Sequence, residues 1–135
     1  MRLKICIVSS IYNNEITNKI RISAIKELNK LGINKVKNIE VPGAFEIPLA
    51  VSKLVNQFDG FIAIGCVIKG DTANFDLITQ AITNGIMQIS IDKKKPIGNA
   101  ILTCFNKNQA KKRINRGAEA AKAVIAVLKN DSKKN

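Results

Sequence analysis

Apolar residues along this chain come in two rhythms that take turns. Residues 3–8 (Leu-Lys-Ile-Cys-Ile-Val) are a compact apolar run that predicts a buried first strand, with a loop over 9–14. From 15 to 31 the spacing changes. Ile16, Ile20, Ala24, Leu28 and Leu31 recur at helical intervals, and Gly32 is placed to close that helix. Residues 35–41 read as a second strand, with charged residues interspersed as on a sheet edge. Pro42-Gly43 turns the chain into a helix over 44–57, where Pro48 falls early enough to cost no intrahelical donor. Asp59-Gly60 leads to a third strand over 61–66, and an amphipathic segment over 75–91 predicts the next helix. A lysine-rich turn over 92–96 precedes a fourth strand over 97–104. A short helix over 106–113 follows, then a last one over 117–129 with Ala118, Ala121, Ile125 and Leu128 on one face. Residues 130–135 read as a solvated tail.

Strands that alternate with helices demand a parallel sheet with right-handed crossovers and helices on both faces. The prediction is one domain over 1–135: a three-layer α/β/α sandwich around a four-stranded, mainly parallel sheet of flavodoxin-like topology. In such sheets ligands bind beyond the carboxyl ends of the strands. The loops there are 9–14, 41–46, 66–74 and the region after Cys104. The least ordinary sequences cluster in them, which predicts a small-molecule site.

Gly65-Cys-Val-Ile-Lys-Gly-Asp-Thr-Ala-Asn-Phe-Asp76 stands out among these loops. Gly65 and Gly70 give the backbone freedom and let a ligand approach it. Asp71, Thr72 and Asn74 are each able to cap the helix that follows. A helix amino terminus offers unpaired N–H groups and partial positive charge, which suits a phosphate or carboxylate.

Composition narrows the chemistry. At 135 residues, 46% hydrophobic and 24% charged, the chain has the make-up of a soluble globular protein, and with 4% aromatics its core must be aliphatic. No apolar run approaches membrane-spanning length. Cys6, Cys66 and Cys104 lie in β-like runs without C-x-x-C spacing, which predicts reduced, buried thiols and a cytoplasmic protein. There is no histidine, so a cysteine nucleophile has no imidazole partner and the usual zinc ligands are missing; no metal is expected. The net charge of +12 raises nucleic acid as a partner, but the cations are scattered and lack interleaved aromatics. An anionic small-molecule substrate fits better.

Two motifs together, Val41-Pro-Gly-Ala-Phe-Glu-Ile-Pro48 and the 65–76 stretch, resemble lumazine synthase of riboflavin biosynthesis. The resemblance runs on through Leu102-Thr103, Gln109-Ala110, Arg113 and Arg116-Gly-Ala-Glu-Ala-Ala121. It implies condensation of 5-amino-6-(D-ribitylamino)uracil with 3,4-dihydroxy-2-butanone 4-phosphate. An amine attacks a ketone to give an imine, phosphate is eliminated, and ring closure with loss of water gives 6,7-dimethyl-8-ribityllumazine. No cofactor is implied. Tyr12 matches the aromatic that stacks on the pyrimidine ring. Ala44, Phe45 and Glu46 match the ribityl and pyrimidine pocket, with Glu46 accepting from ribityl hydroxyls. Cys66, Val67 and Ile68 match backbone contacts to the uracil. Asp71 and Thr72 match the phosphate-binding pair, acting through backbone N–H groups, and Arg113 matches the phosphate-binding arginine.

The chain departs from the family at three places. Asn74 stands at the catalytic histidine position, and an amide has no usable proton-transfer pKa. Asn99 stands where an aromatic packs near the pyrimidine. The segment from Arg113 to Arg116 is shorter than usual. The resemblance further implies homopentamers with sites between subunits, Tyr12, Phe45 and the 66–74 loop from one chain and Asn99 and Arg113 from the next. Two other functions stay open at this point: a non-catalytic module that binds a ribityl-pyrimidine, lumazine or flavin, and a shell protein on the same fold.

Overall fold

The computed structural model describes residues 2–133, with side chains described to residue 130. Four strands and five helices alternate: β1 (Ile5–Ser10), α1 (Asn14–Lys30), β2 (Val36–Val41), α2 (Ile47–Leu54), β3 (Gly60–Ile68), α3 (Phe75–Lys93), β4 (Ile97–Cys104), α4 (Lys107–Lys111) and α5 (Arg116–Lys133). The sheet order is β2-β1-β3-β4 and every pairing is parallel. This is the doubly wound flavodoxin-like order, in which the chain reverses direction between β1 and β3. The predicted second strand does lie at an edge, where its side chains are mostly half-buried or exposed.

The two inner strands explain why the sheet sits in the middle. All six residues of β1 are buried, and β3 is buried throughout except at Val67. Side chains alternate between two faces, as the pleat requires. Ile5, Ile7, Ile62, Ile64 and Leu102 pack against α1 and α5 through Ile16, Ile20, Leu28, Val124 and Ile125. Cys6, Val8, Phe61, Ala63 and Ile101 face α2 and α3 through Ile47, Val51, Ile82 and Ile86. Each buried isoleucine contributes about 1.5–3 kcal/mol relative to an exposed one. Lys95 adds a polar tie. Its ammonium donates at 2.8 Å to the carbonyls of both Val55 and Phe58, just past the end of α2.

Five boundaries differ from expectation. β1 lies two residues later than read, because Ser9 and Ser10 pair with Glu40 and Val41 of β2. β3 continues two residues past Cys66 because β4 supplies partners for them, Val67 with Thr103 and Ile68 with Cys104. The helix expected over 44–57 divides into a 3₁₀ turn at Ala44–Glu46 and α2, with Pro48 in the first turn of α2, and ends earlier. α4 is shorter than expected, with Asn106 outside it as its cap: the Asn106 side chain accepts from Gln109 N–H at 3.0 Å. The last helix runs on to Lys133, into the segment read as a tail, since nothing there is a helix breaker; residues 134–135 lie outside the described residues. Gly32 closes α1 as predicted, with φ at +83°.

α3 differs from the other long helices. Of its 19 residues only Ile82 and Ile86 are buried, while Leu77, Met87 and Ile91 are exposed. By contrast, α1 and α5 press together so closely that a Cβ at Gly117 would run into the Ile20 carbonyl oxygen. Gly117→Ala is therefore expected to lower the stability of the chain by about 1–3 kcal/mol, as overpacking does. The urea unfolding midpoint checks this; an unchanged midpoint would mean that α1 and α5 can move apart at no cost.

Candidate active site

The strands end unevenly, and the site begins there. The last β1 residue paired with β3 is Ser9, opposite Ile64, whereas β3 goes on to Ile68 against β4 alone. Phe61 N–H donates to the Pro96 carbonyl, which fixes the phase of the ladder. Odd-numbered peptide groups of β3 then turn to β4, and those of Cys66 and Ile68 turn to the side that β1 has vacated. The β1–α1 turn fills the near end of that space and presents Tyr12.

A cavity of about 190 Å³ lies in this notch, lined by Tyr12, Gly43, Ala44, Phe45, Cys66, Val67, Ile68, Asp71, Thr72 and Ile78. Eight of the residues singled out from the sequence thus meet around one space. Tyr12 and Phe45 are each 60% exposed. Two half-open rings and a row of backbone amides are a surface on which a flat heterocycle can stack and be read by hydrogen bonds. Gly65 backs this wall, since a Cβ there would press on Ala44 at 3.1 Å. The loop that carries Asp71 is propped from outside by Lys69, whose ammonium lies 5.2 Å from the centre of the Phe105 ring.

The other predicted residues sit elsewhere. Asn99 and Arg113 line a second cavity of about 120 Å³ with Arg116, Thr79, Thr83 and Thr103. The Asn99 side chain accepts from Ile101 N–H at 3.0 Å, and its carbonyl accepts from Arg116 Nε at 2.9 Å, so this residue is engaged along the free edge of β4. Arg113 comes within 3.9 Å of Cys104 Sγ and is otherwise exposed. Glu46 does not line the Tyr12 cavity. Its Oε1 accepts from Gly43 N–H at 2.9 Å and closes the 3₁₀ turn, because a carboxylate there satisfies an unpaired donor. Asn74 lines neither cavity. It is the residue before α3, exposed, and its side chain caps nothing: Ile78 N–H is bonded to its main-chain carbonyl instead. Asp71 and Thr72 do not cap α3 either.

Three residues at the site escaped the sequence reading. Gly43 and Ile78 join the lining, and Asn13 holds the β1–α1 turn through a 3.0 Å hydrogen bond from its Nδ2 to the Cys66 carbonyl. Asparagine before a helix was the available clue, since it tolerates left-handed backbone.

All three cysteines are free and buried, as predicted. Burial pushes the Cys66 thiol up to about 11, with the Cys104 and Asp71 charges adding and Lys107 opposing. Burial does the same to Cys6, against Lys37. Both are neutral at physiological pH, so neither is a nucleophile. Among the described residues no group of histidine, cysteine or acidic side chains could hold a metal ion.

The family model described as 6,7-dimethyl-8-ribityllumazine synthase matches residues 2–131. The chain belongs to the 6,7-dimethyl-8-ribityllumazine synthase family. Relatives bearing that name include one from Burkholderia vietnamiensis, 41% identical over 128 residues, covering 91% of this chain and 76% of the relative. Another, from Corynebacterium urealyticum, is 38% identical over 130 residues, covering 91% and 81%. A third, from Methylibium petroleiphilum, is 35% identical over 131 residues, covering 93% and 82%.

Two measurements follow from the site's interior. Native protein should resist a thiolate-directed alkylating reagent at pH 8 and react faster only as pH climbs from about 9 toward 11, because the raised pKa delays deprotonation of Cys6 and Cys66. Mass spectrometry of the labelled peptides reads this, and rapid modification of Cys66 at pH 8 would contradict its burial. Ser10 Oγ is buried beside Ala44 and Gly65 with no hydrogen-bond partner. Ser10→Ala is expected to leave stability unchanged or raise it by up to about 1 kcal/mol, since it removes a desolvated hydroxyl. A fall in the urea midpoint would mean that the hydroxyl is bonded.

Proposed function

We propose that the chain is a 6,7-dimethyl-8-ribityllumazine synthase, a transferase that condenses 5-amino-6-(D-ribitylamino)uracil with 3,4-dihydroxy-2-butanone 4-phosphate in riboflavin biosynthesis. The observation that carries this is the convergence of Tyr12, Ala44, Phe45, the backbone of 66–68 and the Asp71-Thr72 turn around one cavity. The pyrimidine stacks on Tyr12, and the peptide groups of Cys66 and Ile68 read its edge. The Asp71-Thr72 turn receives the phosphate through main-chain N–H groups, with the Asp71 carboxylate directed away from it.

Arg113 has the fork of donors that grips two phosphate oxygens, yet it lies in the other cavity with Asn99. A neighbouring subunit that brings its Asn99–Arg113 cavity against the Tyr12 cavity completes one site from two chains. Homopentamers supply that arrangement, and the exposed apolar residues of α3 give the subunits surface to bury. No helix among the described residues is long and apolar enough to cross a membrane. The protein acts in the cytoplasm, on small molecules.

The reaction proceeds largely by positioning. The 5-amino nitrogen attacks the ketone carbon, water leaves, and the imine expels phosphate once the proton beside it is lost. The ribitylamino nitrogen then closes the ring, and a second water departs. Asn74 lies outside both cavities of the single chain but two residues past the Asp71-Thr72 turn; there its amide can orient by hydrogen bonding and not shuttle protons, which substrate phosphate and water carry. Its amide also gives the second reading its footing: a module that binds a ribityl-pyrimidine, lumazine or flavin without turnover.

Purified protein is expected to form lumazine above a no-enzyme control, with Asn74→His raising kcat by up to about 10²-fold, the lower end of general acid–base contributions. Lumazine binding without any turnover would move the protein to the second reading. Light scattering should give five times the 14.8 kDa chain mass, and full activity in a monomer would contradict the shared site.

A further inference from the structure

Asn13 is one of two non-glycine residues with positive φ among the described residues, at φ 61° and ψ 39°. Left-handed backbone is strained for an ordinary L-residue, and asparagine is among the few that adopt it routinely. Something in the surroundings has to hold it there.

Asn13 is also the residue before α1, where a side-chain oxygen usually accepts from the first free helical N–H groups. It does not do this. Its main-chain carbonyl accepts from Ile16 and Thr17 at 2.9 and 3.1 Å, and its side chain is diverted across the turn to the Cys66 carbonyl at 3.0 Å. A carbonyl oxygen only accepts, so the amide nitrogen must face it. The carbonyl lies on the overhang of β3, on the side that β1 no longer covers.

The other ties of this turn lead the opposite way. Ile11 N–H donates to the Val41 carbonyl at 2.8 Å and Tyr12 N–H to the Pro42 carbonyl at 3.1 Å, at the last residue of β2 and just beyond it. Thr17 Oγ1 donates to the Ser10 carbonyl at 2.9 Å, tying α1 to the end of β1 across the turn. Among the described residues, the Asn13 amide provides the one hydrogen bond that joins residues 11–13 to β3.

We infer that Asn13 is a positioning residue, whose bond to the Cys66 carbonyl holds the Tyr12 ring at a fixed distance from the β3 backbone. The inference rests on the reading of the Tyr12 cavity as the pyrimidine site. A heterocycle held there touches a ring on one turn and peptide groups on another strand, so its affinity depends on the spacing between them. Asparagine meets both requirements of this position, and its two nearest substitutes each fail one. Glycine takes the conformation and cannot donate; aspartate tolerates the conformation and would turn an oxygen toward the carbonyl.

The sequence provides a reporter, because Tyr12 is its single tyrosine and there is no tryptophan. Time-resolved fluorescence anisotropy of the unliganded protein therefore reads the mobility of this one ring. Asn13→Gly keeps the backbone and deletes the bond. It should loosen the ring, weaken binding of 6,7-dimethyl-8-ribityllumazine about tenfold, the worth of one good hydrogen bond, and raise KM for the pyrimidine with kcat within about twofold. Asn13→Asp should weaken binding further, and Asn14→Ala, on the exposed first turn of α1, should do neither. Ring mobility and lumazine affinity unchanged in both Asn13 variants would overturn the inference. A loosened ring in Asn13→Gly, in a protein whose wild type does not bind lumazine, would support the tie and overturn the functional reading instead.

Discussion

The site depends on a mismatch in strand length. In a parallel sheet all carboxyl ends lie on one side, and the inner strands are hidden by their neighbours. β3 outruns β1 and leaves the peptide groups of Cys66 and Ile68 turned toward a space that no strand fills. Burying such groups without partners would cost about 1–3 kcal/mol each. The chain answers with one amide, from Asn13, and leaves a cavity for the rest. Tyr12, the 3₁₀ turn with Phe45 and the Asp71-Thr72 loop are arranged around that notch because each leaves a strand whose end is fixed by the same sheet.

The electrostatics are sparse for an enzyme. No imidazole is present, the cysteine near the cavity is held neutral by burial, and the residue before α3 is an amide. What the site has is shape, two exposed rings and oriented backbone. Amine–ketone condensation and phosphate elimination suit such a site: effective concentration and a held leaving group lower the barrier, and substrate or solvent can move the protons. The cations have little part in this cavity; its lining contains none.

Most of the fold was legible because apolar spacing and sheet burial agree. β4 lies where its run of residues placed it, Gly32 closes α1, and the strand–helix alternation dictated the parallel sheet. The errors share a cause. Val67 and Ile68 sit between two glycines and read as loop, yet they are strand because β4 runs alongside them. Polar residues beyond 129 read as a tail, yet polarity alone does not end a helix. At the site, the residues on one stretch of backbone came together as read. Glu46 did not, because the Gly43 N–H three residues back satisfies it first. The conformation of Asn13 is set by a partner 53 positions away, which no local pattern reports.

α3 turns most of its surface outward, with Leu77 70% and Ile91 64% exposed and only Ile82 and Ile86 buried. If the proposed homopentamer covers that face, folding and association draw on the same apolar area. Mass action would then enter: the free energy holding α3 down would depend on protomer concentration, and dilution would loosen the helix along with the assembly. In a cell making little of this protein, expression level would set how much of it is folded, well before catalysis set how much lumazine is made.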